Sequence, residues 1–198
     1  MAGFYRSRRK RFYLLVDVVS IFILLVLVLI VYRYGATQDP TIGKAYIIDG
    51  DTVKIAETSI RLEGIDAPER RQKCFKGNQP YSCGIASTNA LKKMVRGRRL
   101  NCDGWQKDIY QRLLATCYVR GEDKSLPSLN QRMVRMGWAV SYNDYRADQA
   151  YARANRLGIW RGNFQLPSDW RRENKRSGMI DETYMNFVWQ WMKNIAGL

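Results

Sequence analysis

A run of 21 residues, Phe12 to Tyr32 (FYLLVDVVSIFILLVLVLIVY), is interrupted only by Asp17 and Ser20, and it constrains this chain more than any other feature. As a helix it would be about 31 Å long, close to the roughly 30 Å hydrocarbon core of a bilayer. The expectation is one transmembrane helix over residues 12–34. Arg6, Arg8, Arg9, Lys10 and Arg11 precede it, and basic flanks stay in the cytoplasm, which directs everything after Tyr34 outward. A cleaved signal peptide is the alternative, but its apolar region is usually shorter, and Tyr34-Gly35-Ala36 is a poor cleavage site. Asp17 lies toward the cytoplasmic end, where a charge costs less than at mid-membrane.

The chain carries 33 Lys and Arg against 18 Asp and Glu, a net charge of +15. Residues 1–35 hold six Lys/Arg and one Asp, net +5, so +10 remains for the part beyond the apolar run. That part is basic in its own right, which favours an anionic partner such as nucleic acid or an acidic membrane surface. There is no histidine in the 198 residues. Histidine general bases, His-ligated zinc and Ser-His-Asp triads are thereby excluded within one chain. All four cysteines, Cys74, Cys83, Cys102 and Cys117, follow the apolar run. In an oxidising compartment an even count suggests two disulfides, with three pairings open.

Short apolar runs at Ala45–Ile48, Val53–Ile55 and Ile60–Ile65 are separated by Asp49-Gly50-Asp51 and Glu57-Thr58-Ser59 and end at Asp66-Ala67-Pro68-Glu69. They read as strands joined by tight turns. Residues 70–81 are polar and read as a loop. From Gly84 an amphipathic helix sets Ala86, Ala90, Leu91, Met94 and Val95 against Lys92, Lys93 and Arg96. Arg99–Cys102 and Leu113–Val119 read as two further strands, Ser128 as the cap of a helix ending at Gly137, and Ala147–Leu157 as a last helix. The expected class is α+β: a five-stranded barrel with three helices, preceded by the transmembrane helix.

The segments IDGDTVKI, RLEGIDAPE, DIYQRLLATCYV, VRMGWA and LGIW, in that order between Lys44 and Trp160, resemble the signature segments of the staphylococcal nuclease-like (thermonuclease) family. The resemblance implies an OB-type barrel and a calcium-dependent phosphodiesterase that cuts single- or double-stranded nucleic acid, DNA or RNA, leaving 3'-phosphate ends. Together with the apolar run and its basic flank, it gives a domain layout of a basic cytoplasmic N-terminus (1–11), the anchor (12–34), a linker (35–43), the nuclease-like domain that the resemblance covers (44–162) and an extension (163–198). By the same resemblance Asp51, Asp66 and the carbonyl of Ala67 are the metal ligands, Glu69 is the general base, and Arg61 and Arg112 bind phosphate. Asp49 either stands behind the ligands or only shapes the turn. Tyr110, Tyr142 and Tyr145 are candidate platforms for stacking bases.

The chemistry of the residues agrees with those roles. A hard divalent cation takes oxygen ligands, which two carboxylates at strand ends supply. Phosphodiester hydrolysis needs an aligned water, a proton acceptor, and positive charge around the phosphoryl oxygens. Without histidine, Glu69 is the acceptor within reach, and guanidinium forks suit phosphate better than ammonium groups do. One departure concerns the family's Y-G-R, which is Tyr110-Gln111-Arg112 here, so the glycine that would ease the backbone is lost. Within the family frame Cys102 and Cys117 fall on consecutive strands and Cys74 and Cys83 bracket one loop, so those are the expected pairs. Residues 161–176, with Trp170, Arg171, Arg172, Lys175 and Arg176, read as a solvated extension, with an extra anionic contact as the alternative. Tyr184, Phe187, Val188, Trp191 and Ile195 recur at helical spacing, with Trp189 beside them, and suit packing on the barrel, a membrane interface or self-association. The competing function is a membrane-anchored OB-type module that binds nucleic acid or protein without cutting. Loss of catalytic carboxylates or arginines would mark it, and here all five are present.

Overall fold

The computed structural model describes residues 3–34, 39–175 and 189. The expected aromatic helix near the C-terminus lies outside these apart from Trp189. The chain forms two compact units, Met1–Gln38 and Asp39–Leu198. The first contains α1, Gly3–Tyr34. Its described apolar side chains from Leu15 to Val31 are exposed, Phe22 by 66% and Leu24 by 64%. Among the described residues no helix is long and apolar enough to cross a membrane, so the transmembrane expectation gains no support here.

The second unit begins with a meander of β1 (Thr41–Ile47), β2 (Thr52–Ile55) and β3 (Thr58–Leu62). Then come β4 (Ile65–Asp66), β5 (Cys74–Lys76), β6 (Gln79–Tyr81), α2 (Cys83–Val95), β7 (Arg99–Lys107) and β8 (Leu113–Val119). The chain continues through α3 (Leu129–Arg135), β9 (Val140–Ser141), α4 (Arg146–Ala154), a 3-10 turn at Gly158–Arg161 and α5, residues 167–175. The five longer strands close a barrel in the order β1-β2-β3-β8-β7. Every pairing is antiparallel except β3 with β8, which run parallel with Arg61 opposite Leu114. Strand periodicity explains the inside of the barrel. Along β8, Leu113, Ala115, Cys117 and Val119 face the core, while the residues between them are partly exposed. Val53, Ile60, Leu62 and Leu100 fill the rest, and Leu91 of α2 and Met133 of α3 cap it. Burying each such aliphatic side chain stabilises the fold by about 1.5–3 kcal/mol.

The parallel seam matters because it brings Arg61 of β3 beside the foot of β8, which Arg112 immediately precedes. Asn130 of α3, fully buried, pins it: its amide nitrogen donates to the carbonyls of Glu63 and Ala115, and its oxygen accepts from the Cys117 N–H. Ser128 caps α3 as expected, accepting from the Gln131 N–H at 3.1 Å. Both expected disulfides form, Cys74–Cys83 and Cys102–Cys117. The second closes a 15-residue separation, for which chain entropy predicts about 3 kcal/mol.

Four local expectations are corrected. The third strand stops at Leu62, because Gly64 at φ +76° turns the chain and Ile65–Asp66 pairs instead with Val140–Ser141. Residues 70–81 hold the β5–β6 hairpin. Strand β7 continues past Cys102 to Lys107 through an irregularity between Asp103 and Gln106. Finally, residues 161–175 are not merely a solvated extension: they lead into α5, a fourth helix of the barrel unit where three were expected. Phe75 and Asn163 exchange backbone hydrogen bonds of 2.8 and 2.9 Å, and Gln72 Nε2 donates to the Gln165 carbonyl at 2.6 Å. These bonds seat the chain that leads into α5 on the barrel unit.

Candidate active site

The site starts at the Asp49-Gly50-Asp51 turn. Asp49 Oδ1 accepts the Asp51 N–H at 3.0 Å, so its direct role is to shape the turn. A side chain at Gly50 would place its Cβ 2.1 Å from Ser87 Oγ, so only glycine lets the turn lie against α2. Asp51 is consequently buried, 4% exposed. Its Oδ1 accepts from Thr52 Oγ1 at 3.0 Å and Arg61 Nη1 at 3.1 Å, and its Oδ2 accepts the Ala67 N–H at 2.9 Å. Arg61, on β3, holds Asp66 Oδ1 with its other terminal nitrogen at 3.0 Å. Two buried carboxylates from separate elements thus meet on one guanidinium.

Burial pushes the Asp51 carboxyl up to about 7 in spite of Arg61, and the neighbouring charges of Asp49 and Asp66 add to the rise. Arg61 responds in the opposite sense. Burial works to lower its affinity for a proton, but Asp51 and Asp66 outweigh that and hold it above the ordinary arginine value. This is an all-oxygen site with more negative charge than its own cation neutralises, which suits a hard divalent ion. Among the described residues no group of three or more His, Cys, Asp or Glu is placed to hold a metal. Asp51 and Asp66 would therefore need backbone carbonyl and water oxygens to complete a shell, as flexible calcium-type coordination allows.

Glu69 follows the Ala67-Pro68 turn and is placed by its backbone. Its N–H donates to Gln72 Oε1 at 3.2 Å and its carbonyl accepts the Gln72 N–H at 2.7 Å. A Cβ at Gly84 would sit 1.8 Å from the Glu69 carbonyl oxygen, so the start of α2 packs directly on this loop. Arg112 enters from the foot of β8. Asp108 Oδ2 accepts from its Nε at 2.8 Å and Nη2 at 2.7 Å, and Thr52 Oγ1 accepts from Nη1 at 3.3 Å. Burial alone would raise Asp108, but hydrogen bonds from Arg112 and the Tyr110 N–H hold its carboxyl below the usual range. Gln111 takes the left-handed conformation, φ +63°, where the family pattern has glycine. The turn survives the substitution because Asp108 Oδ1 accepts both the Tyr110 and Arg112 N–H groups at 2.9 Å.

Arg61, Asp66, Glu69, Arg112, Tyr110 and Tyr142 all line one cleft of about 1060 Å³. Tyr110 and Tyr142 are 73% and 65% exposed, as stacking platforms must be. Tyr145 does not join them. It packs against the barrel core half-buried, and that burial raises its pKa although its hydroxyl bonds with Ser128 and Thr116 act the other way. Asp51 lies behind Arg61 and is not among the lining groups. Three contributors were not foreseen. Thr52 links Asp51 to Arg112, and Asp108, which the i, i+4 spacing to Arg112 could have flagged, orients that arginine. The third is Arg171 on α5. Its Nη1 and Nη2 contact the two oxygens of Asp66 at 2.9 Å each, and Nη1 also contacts Glu69 Oε1 at 2.8 Å. No local sequence signal announces it, since 105 residues separate the partners.

Residues 59–162 match the model of the staphylococcal nuclease homologue family. A succinoglycan biosynthesis protein, ExoI, of Rhizobium meliloti is 34% identical over 140 residues, covering 67% of this chain and 71% of that protein. An uncharacterized endonuclease of Haemophilus influenzae is 30% identical over 169 residues, 79% of this chain and 87% of its own. Protein ParB of Escherichia coli is 34% identical over 145 residues, 65% and 77% of the two chains. The family match contains Arg61, Asp66, Glu69 and Arg112; Asp51 precedes it and Arg171 follows it.

Proposed function

This chain belongs to the staphylococcal nuclease homologue family and is a nuclease, and from that premise we propose that it hydrolyses DNA, RNA or both in a calcium-dependent reaction that leaves 3'-phosphate ends. The observation that carries the reading is the meeting of Asp51 and Asp66 on Arg61, beside a cleft that also presents Glu69 and Arg112. Asp51, Asp66 and the Ala67 carbonyl are the groups that would hold calcium. When bound there, the ion supplies Lewis-acid stabilisation of charge on a phosphoryl oxygen.

The chain's own residues do the rest. Arg61, on β3, and Arg112, just before the parallel β8, bind the non-bridging oxygens, where charge grows in the transition state. Asp108 and Thr52 keep Arg112 aimed. Glu69 accepts the proton of the water that attacks phosphorus in line with the 5'-oxygen. The bond from phosphorus to that oxygen breaks, its electron pair leaves with the oxygen, and a 5'-hydroxyl forms on protonation while phosphate stays on the 3' side. Tyr110 and Tyr142 flank the cleft as base platforms. Cleavage of single-stranded DNA and RNA by the purified chain, disulfides intact, tests this. Activity should require calcium and disappear with a chelator, and the new 5' ends should accept a phosphate label without prior dephosphorylation. Chelator-resistant cleavage, or 5'-phosphate products, would refute it.

The proposed location is outside the cytoplasm, tethered by α1 with the N-terminus inside. Its support is the 21-residue apolar run, the five basic residues before it and the exposed aliphatic side chains along α1. The full chain should sediment with membranes and be released by detergent but not by high salt, while residues 39–198 should remain in the supernatant. Release of the full chain by salt alone would contradict the anchor.

A further inference from the structure

We propose that Arg171 is a resident cation which occupies the Asp66–Glu69 edge of the site until a divalent ion displaces it, so that α5 sets the affinity of the nuclease for its metal. The inference rests on the calcium reading above and concerns a residue outside the segment that matches the family.

The first argument is occupancy. Arg171 spans both oxygens of Asp66 and one of Glu69, with contacts of 2.8–2.9 Å. A calcium ion sits about 2.3–2.6 Å from its oxygen ligands, and Arg61 and this fork already occupy three of the roughly four lone-pair sites of Asp66, so the ion competes with the fork for that carboxylate. The second is charge. With Asp51 ionised, as a carboxylate that binds a metal must be, Asp51, Asp66 and Glu69 carry three negative charges against two from Arg61 and Arg171, while Arg112 has its own acid in Asp108. Adding a divalent ion to the closed arrangement would leave the site positive. Releasing Arg171 as the ion enters restores neutrality.

The third argument is which arginine gives way. The Arg61 side chain is 20% exposed and bound to two buried carboxylates, whereas that of Arg171 is 41% exposed and can return to water. Arg171 is nevertheless held in position. Gln72, fully buried, accepts the Glu69 N–H and donates to the Gln165 carbonyl, tying the Glu69 loop to the chain that leads into α5. The Gln165 side-chain amide in turn donates to the Glu173 carboxylate on α5 at 2.7 Å. The exchange therefore moves a side chain from a docked helix and requires no unfolding.

Calorimetric titration of calcium into the full chain in detergent, without nucleic acid, tests the exchange in wild type, Arg171→Gln, Arg171→Lys and Asp66→Asn. Hydrogen bonds to charged groups are strong enough that Arg171→Gln should bind calcium about tenfold more tightly or better. Arg171→Lys, which keeps the charge without the fork, should fall between it and wild type, and carries the test if the glutamine variant does not fold. Asp66→Asn should lose binding. Calcium binding by wild type that neither Arg171 variant improves would overturn the proposal and leave the calcium reading standing. No binding by wild type or either Arg171 variant would overturn both.

Discussion

Glu69→Gln is expected to lower cleavage by at least about a hundredfold, the lower end for loss of a general base. The substitution preserves shape and a hydrogen-bond acceptor while removing the ability to take a proton. The backbone of residue 69 does the positioning, through its two bonds to Gln72 and its contact with Gly84, and none of these involves the carboxylate. A glutamine oxygen can still accept from Arg171, where Glu69 Oε1 now does at 2.8 Å. Stability should therefore change by no more than about 0.5 kcal/mol, as for substitutions that break no buried feature. Nucleic acid should bind as before in a salt-dependent manner. A kcat within tenfold of wild type, measured on single-stranded DNA under saturating calcium, would sink the assignment of Glu69 as base.

Arg61→Lys is expected to cost about a hundredfold to a thousandfold in kcat/KM, the range found when one preorganised donor to a developing oxyanion is removed. Arg61 joins two buried acids from different elements with separate nitrogens at 3.1 and 3.0 Å, a geometry that a single ammonium cannot reproduce. Positive charge is retained, so a loss of this size would report the fork and not the charge. The same change should lower the unfolding midpoint, because a buried carboxylate left without its partner is costly. Arg112→Lys provides the comparison. Arg112 is neutralised by the less buried Asp108, so its replacement should reduce activity with a smaller loss of stability. Equal activity of Arg61→Lys and wild type would remove Arg61 from the phosphate-binding set.

Much of this protein was legible in its sequence wherever the information is local. Alternating burial along β8, the Ser128 cap and the turn at Asp49-Gly50-Asp51 follow from residue types and spacing that act over a few positions. The ordered family segments placed the carboxylates and arginines at strand ends, where the fold does collect Arg61, Asp66, Glu69 and Arg112 around one cleft. Tyr145 shows the limit of that reading. An aromatic residue near the right place packs half-buried against the core, and nothing in its neighbours reveals which way it turns.

Contacts between distant segments were decided only by the tertiary structure. Parallel pairing of β3 with β8, the β4–β9 bridge and the Asn130 pin depend on loops closing over many residues, and periodicity within a strand carries no record of its partner. Arg171 is the clearest case. By sequence it is one of several cations in a polar tail. In the folded chain the surplus negative charge of Asp51, Asp66 and Glu69 and the docking of residues 163–165 bring it into the active site. An arginine's role depends on the field it meets, and that field exists only once the carboxylates have been assembled.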